Sequence, residues 1–345
     1  MNAPSFLPRS STLRKLAPGF LIATAVAVAA TLLAPAVALV FPIPAMVLAL
    51  LIGIALNRPA AAPIFQPGLT FCVKKLLRWA VALLGLRIAL GDIVDLGVLV
   101  ALMVVVTMAA TILSGFALAR LFGQRPEYGA LAGAATAVCG ASAALATTTV
   151  LPNYKGKEAD VAFVVVAVNA LSTLAMIAYP ALAALLGFDH LTTGVLLGAT
   201  IHDVAQVVGA GYAVSETAGN TAVVVKLFRV FLLLPVVLVI GWWFLRSGGH
   251  AENAKVPPPV FAFVFLGLCL LNTAMAYAPG LQPIYAPLRE AAIVASNWGL
   301  LIAIGALGLG TSLSAIARLG WRHIATVTGT TLVILVLATV ALLFI

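Results

Sequence analysis

Gly198-Ala199-Thr200-Ile201-His202-Asp203-Val204-Ala205-Gln206-Val207-Val208-Gly209-Ala210-Gly211 sets a histidine, a carboxylate and an amide inside an apolar run over 190–214. A bilayer-crossing helix needs about 20 mostly apolar residues, and this run supplies them. Ionisable groups in hydrocarbon are expensive and mark function by default. On a continuous helix of 3.6 residues per turn, His202, Asp203 and Gln206 share one arc, with glycines on either side that allow close approach or a break. A buried His–Asp pair is the natural unit of a proton relay or an ion site. The alternative is a hydrogen bond across helices that only glues them together.

The rest of the chain is the same kind of sequence. Its 345 residues are 63% hydrophobic and 8% charged, with a mean hydropathy of +1.17. Soluble proteins average about 45–50% apolar and roughly 25% charged residues, so a water-soluble fold is excluded. Disorder and nucleic-acid binding are excluded for the same reason. The net charge of +9, from 19 Lys+Arg against 10 Asp+Glu, fits basic residues gathered in cytoplasmic loops. Cys72, Cys139 and Cys269 have no CxxC spacing, which points to neither a disulfide framework nor a metal site.

The composition predicts an all-α polytopic membrane protein of about eleven transmembrane helices. They fall near 17–40, 42–56, 74–90, 96–121, 127–151, 159–186, 190–214, 219–245, 258–278, 289–316 and 322–345. Runs this long exclude a β-barrel, whose strands alternate over about ten residues. Arg9, Arg14 and Lys15 ahead of an apolar run ending Ala34-Pro35-Ala36-Val37-Ala38 resemble a signal peptide, but the run is long enough to span and is read as the first helix. One integral membrane domain covers 1–345, with 1–16 as a cytoplasmic tail. The linkers at 57–73 and 246–259 are too short to house a catalytic domain.

Loop charges orient this count. With the N-terminus inside, Arg9, Arg14, Lys15, Arg58, Lys74, Lys75, Arg78, Arg120, Arg125, Arg246, Lys255, Arg318 and Arg322 lie inside, against Arg87, Lys155, Lys157 and Arg289 outside. That bias puts the N-terminus in the cytoplasm and the C-terminus in the periplasm of an inner membrane. Gly85-Leu86-x3-Leu90-x2-Ile93-x2-Leu96-Gly97 echoes Gly308-Leu309-x3-Leu313-x2-Ile316-x2-Leu319-Gly320. The copies sit at the ends of oppositely directed spans, so they signal either an inverted repeat or chance among abundant Gly and Leu.

Four further places bring polar chemistry into the membrane. Lys226 and Arg229 share one helical face, and two unpaired central cations would cost roughly 5–7 kcal/mol. Arg87 ends a short span, where snorkelling is the plain alternative. Gly129 through Ala144 is a run of small residues around Thr136, with Cys139-Gly140-Ala141-Ser142 a plausible unwound point whose amides would favour an anion. Ordinary small-residue packing is its alternative. A second glycine-rich element, Ser296-Asn297-Trp298-Gly299 through Gly310-Thr311-Ser312, could be its counterpart. Asn169, Ser172 and Thr173 form a smaller polar face read as structural. Asp203 can neutralise only one of Arg87, Lys226 and Arg229, so the surplus positive charge favours an anionic substrate.

These residues resemble the YeiH-type family of bacterial inner-membrane proteins, often labelled sulfate exporters. The resemblance is carried by Gly85-Leu86-Arg87, Cys139-Gly140-Ala141-Ser142-Ala143, the run from His202 to Ala210, Lys226-x2-Arg229 and Ser296-Asn297-Trp298-Gly299. It implies membership of the cation/proton antiporter and anion transporter superfamily, with inverted repeats and two broken helices crossing at the midplane. The expected function is a secondary transporter exporting a small anion such as sulfate or a sulfonate. Its substrate site would include Arg87, Thr136, Cys139, Gly140, Ser142, Lys226, Arg229 and Asn297, and its proton coupling would use His202, Asp203 and Gln206. The alternative is a cation/proton antiporter or sodium-coupled symporter using Asp203. An enzyme is not expected, for there is no GxSxG elbow to activate Ser142 and no HExxH motif. Without a P-loop, ATP-driven transport by this chain is not expected. The expected partners are the anion and the lipid bilayer, without cofactor, metal or nucleic acid; a homodimer is compatible with the sequence.

Overall fold

The computed structural model describes residues 10–38, 45–88, 91, 96–246, 260–311 and 320–344. Among them the chain is helical, without a strand. The helices in chain order are α1 (Ser10–Ala38), α2 (Ala45–Ala55), α3 (Asn57–Ala60), α4 (Gln66–Phe71), α5 (Leu77–Leu83), α6 (Gly97–Leu121), α7 (Pro126–Ala137) and α8 (Ala141–Thr148). They continue as α9 (Lys157–Leu185), α10 (His190–Thr200), α11 (Val204–Val214), α12 (Glu216–Phe231), α13 (Leu233–Arg246), α14 (Val260–Ala276), α15 (Gln282–Gly310) and α16 (Trp321–Phe344). A π-helical turn, Cys72–Leu76, joins α4 to α5. Six candidate membrane spans occur among the described residues: Arg14–Val37, Gly97–Leu121, Ala159–Leu185, Glu216–Arg246, Pro279–Gly310 and Trp321–Phe344. In hydrocarbon every backbone N–H and C=O must be satisfied within the protein, and helices do this segment by segment.

The chain forms two compact units. The first holds α1–α5 and α15. Here the glycine-rich stretch from Ser296 onward is an unbroken helix through Gly310, so of the two places offered for a second break, this one and 198–211, it is not the interrupted one. Its glycines serve close packing instead: Gly308 backs onto Leu50 and Gly53 of α2, and a Cβ on Gly53 would meet the Gly305 carbonyl at 2.6 Å. Much of the Gly85–Gly97 and Gly308–Gly320 echo lies outside the described residues.

The second unit holds α6–α13 and α16, and in it two of the expected crossing spans double back. Arg125 precedes α7 in an extended conformation and Pro126 occupies its first turn, where a missing N–H costs nothing. After α7 the chain turns at 138–140 and returns as α8. Val150, just beyond α8, lies against Gly241 of α13, and Trp243 two residues on packs its ring, tilted, against Phe116 near the end of α6. The Arg125 guanidinium lies 5.7 Å over the Tyr154 ring, so the chain has come back to the level at which α7 began. Tyr154 donates to Asp160 Oδ2 at 3.1 Å, Asp160 faces His323 at 3.4 Å, and Tyr128 donates to the His323 carbonyl. The starts of α7, α9 and α16 and the end of α6 therefore share one end of the unit.

The second reversal enters from the other end. Gly194 and Gly198 of α10 pack against Ala218–Thr221 and then Ala222–Val225, so α10 runs parallel to α12. Gly211 of α11 packs against Gly219, and Tyr212 donates to Asn220 at 2.6 Å, so α11 runs antiparallel to α12. Residues 190–214 are thus a helical hairpin rather than one crossing helix. Hydropathy and length cannot separate a 25-residue crossing from two half-length helices that turn back. One consequence is that Lys155 and Lys157 sit at the same end as Arg120, Arg125, Arg246 and Arg322, not opposite them as expected.

Candidate functional site

The tips of the two hairpins meet. At the first, Val138 leaves helical geometry and Gly140 adopts a φ of +66°, a conformation that side chains resist. Gly140 packs against His202 and Asp203 of the second tip, where a Cβ would lie 3.7 Å from the His202 carbonyl. At the second tip Ile201 is extended, and α11 restarts when the Asp203 carboxylate accepts the Ala205 N–H at 3.1 Å. Asp is a preferred residue for this capping role. Each tip therefore presents a helix C-terminus and a helix N-terminus side by side.

Lys226 and Arg229, both fully buried on α12, fill the C-terminal side of this junction. Lys226 Nζ donates to Val138 O at 2.7 Å, to Ile201 O at 2.9 Å and to His202 O. Arg229 Nε donates to Ala137 O at 2.9 Å, Nη1 to Gly198 O and Ile201 O, and Nη2 to Thr136 O and Ala137 O. All three Lys226 donors and all five Arg229 donors are thus used on carbonyls that end α7 and α10. Such carbonyls carry the negative end of a helix dipole, about half a charge per helix, and a cation is favourable there. The hydrogen bonds of both cations thus go to the backbone, which adds to the charge balance expected from Asp203, and neither side chain snorkels.

The His202–Asp203–Gln206 arc is corrected, because residues 201–203 lie outside both helices. His202, fully buried, turns toward the first hairpin and α16: Nδ1 lies 3.2 Å from Thr136 O and Nε2 lies 3.0 Å from Thr331 Oγ1. Asp203 is half-buried, and its N–H donates to Ser172 Oγ at 3.1 Å. Gln206 is buried in the first turn of α11 with Nε2 3.5 Å from Thr173 Oγ1, and its Oε1 has no hydrogen-bond partner. The α9 face read as structural therefore supports the second tip.

The other expected residues divide between the units. The Thr136 hydroxyl is buried on Ala132 O and Thr330 Oγ1, so its carbonyl rather than its side chain belongs to the junction. Cys139 is buried at the first tip, and Ser142 is exposed in the first turn of α8. Arg87 and Asn297 are together in the first unit, Nη1 to Oδ1 at 3.4 Å. Thr330 and Thr331 were missed. Their signal was Thr326-x3-Thr330-Thr331 at helical spacing in α16, a buried hydroxyl stripe inside an apolar helix.

Comparison with known proteins agrees with a membrane protein of this kind. The family model described as conserved hypothetical protein 698 matches residues 18–327. The chain belongs to that family. It is 40% identical to the UPF0324 membrane protein TauZ of Paracoccus pantotrophus, and 41% identical to TauZ of Paracoccus denitrificans, over 98% of both chains in each case. A UPF0324 membrane protein of Chlorobaculum tepidum is 41% identical over 93% of this chain and 87% of its own. The match agrees with the YeiH-type resemblance of the sequence. No solved structure matches the chain.

Proposed function

We propose that the protein is a secondary active transporter that exports a small anion from the bacterial cytoplasm, with the paired hairpin tips as its binding site. The observation that carries this reading is the charge at the junction. The two helix C-termini and two N-termini contribute opposite half-charges that cancel. Lys226 and Arg229 against Asp203 leave a surplus of one positive charge, and two when Asp203 is protonated. A surplus of two matches a sulfate dianion, which makes proton-coupled movement of the anion the natural cycle. The anion would lie at the N-terminal ends of α8 and α11, beside Ser142. Half-helix N-termini serve anionic substrates in this way in other transporters. Sulfate or a sulfonate as cargo, and export as the direction, follow from the family resemblance.

On this reading the two hairpins are re-entrant, and the remaining helices make nine crossings of the inner membrane. At the end of the second unit shared by α7, α9 and α16 lie Arg120, Arg125, Lys155, Lys157, Arg246 and Arg322; at the other lie Asp189 and Glu216. The basic end is therefore cytoplasmic, and the two hairpins, entering from opposite ends, form an inverted pair.

Radiolabelled sulfate flux in proteoliposomes tests the proposal. Wild type is expected to move sulfate faster under a pH gradient. Asp203→Asn should still move it without responding to the gradient, since Asn caps a helix as well as Asp does. A second reading, cation/proton antiport through Asp203, draws on the buried Gln206 Oε1, an acceptor available to a cation. Proton movement driven by sodium or potassium, with no sulfate flux, would select it.

A further inference from the structure

We propose that the Thr331 hydroxyl is a two-way hydrogen-bond switch that lets His202 take up and release the coupling proton on its way to and from Asp203, which rests on the proton-coupled reading above. The Thr136 carbonyl facing Nδ1 can only accept, so Nδ1 keeps its hydrogen in every state. Nε2 is the nitrogen free to change, and it faces Thr331 Oγ1 at 3.0 Å. That hydroxyl has a second partner, the Val327 carbonyl one turn back in α16, at 2.8 Å.

The two states follow from these three contacts. With the ring neutral, Thr331 O–H donates to the Nε2 lone pair. When a proton binds Nε2, the new N–H donates to Oγ1, and the hydroxyl rotates about Cβ–Oγ to donate to Val327 O. No buried donor or acceptor loses its partner in either state, so the protein itself opposes neither form by an unmade hydrogen bond. An apolar residue at 331 would strand Nε2 in both forms, and more severely once it carries the charge. The charged groups that act on the ring are Lys226 and Arg229 from α12, and these two in turn face Asp203 on its own hairpin and Cys139 at the first tip. An arriving anion brings negative charge to this cationic cluster, so proton and anion binding reinforce each other.

Nitrogen NMR of protein carrying 15N-histidine reads the switch without requiring transport. The chain has four histidines, and His202→Gln identifies the ring concerned by subtraction. The expected neutral form has its hydrogen on Nδ1, the minor tautomer of histidine in water. Thr331→Val should weaken proton binding at His202 at least tenfold, with Thr331→Ser restoring it. Thr326→Val, which removes a hydroxyl from the same stripe five residues earlier in α16, should leave it unchanged. In the flux assay Thr331→Val should lose the response to a pH gradient and Thr331→Ser should keep it. A hydrogen on Nε2 in wild type overturns the proposal even if Thr331→Val fails to fold, and so does a Thr331→Val titration that matches wild type. Absence of sulfate flux in wild type with the expected tautomer and shift would refute the anion reading alone.

Discussion

The two hairpins of the second unit reach the same point by different means. The first turns through Gly140, which has no side chain to cap α8. The second turns through extended Ile201–Asp203, and α11 begins under its own carboxylate. One tip thus offers amides that no carboxylate caps, and the other is a set already occupied by a charge that a proton can cancel. On the proposed reading, this difference divides roles within one site: a fixed receptor for an anion on α8, and a titratable gate beside it on α11. What the hairpins share is the treatment of their C-terminal sides, which Lys226 and Arg229 hold together by backbone carbonyls alone.

The shared part should be the most sensitive to change. Arg229→Met would leave carbonyls of Thr136, Ala137, Gly198 and Ile201 without these donors, deep in the protein. Breaking a buried charged network by removing one partner costs about 3–5 kcal/mol, enough to remove most of a typical fold's margin. Loss of folded protein in size-exclusion chromatography is expected, with Arg229→Lys intermediate because three donors replace five. A stable Arg229→Met protein with merely weaker sulfate binding would return Arg229 to the role of anion ligand.

Opposite entry of the hairpins makes an all-or-none prediction. Cysteine introduced at Lys155 should react with membrane-impermeant reagent only from the cytoplasmic side, and cysteine at Asp189 only from the periplasmic side. If 127–151 and 190–214 were crossing helices, both assignments would be reversed.

Much of this site was legible in the sequence, and the reasons it was partial are physical. Small residues around Cys139–Ser142 and polar ones around His202 mark places where a membrane helix can open, and both open there. That Lys226 and Arg229 act together follows from their spacing. Chain reversal left no such mark, because it is decided by contacts such as Arg125 with Tyr154 and Gly211 with Gly219, between residues far apart or individually bland. The partners of the two cations were also invisible, since a backbone carbonyl carries no sequence label. Gly299, Gly305 and Gly308 were misleading because close helix packing and helix interruption draw on the same residue.

The glycine turn should be less sensitive than the cationic clasp but more so than the amides of α8. At Gly140 the neighbouring atoms leave room for a Cβ, so the cost of Gly140→Ala is the positive φ itself, about 1–3 kcal/mol. Thermal unfolding in detergent should show a lowered midpoint with the fold retained. An unchanged midpoint would mean the tip relaxes freely, and the N-terminus of α8 would not be a fixed receptor.

The smallest effect separates the two tips most directly. Ser142 is exposed in the first turn of α8 and can add one neutral hydrogen bond to an anion held by the amides. Such a bond contributes about 0.5–1.5 kcal/mol, so Ser142→Ala should weaken sulfate binding by roughly 2- to 10-fold. Because the side chain caps nothing, melting temperature should stay where it is. The matching change on the other tip behaves differently: Asp203→Asn alters the response to pH while preserving the helix cap. Calorimetric titration of sulfate into each variant at two pH values resolves this. If Ser142→Ala changed the pH dependence and Asp203→Asn only the affinity, the assignment of receptor and gate would have to be exchanged.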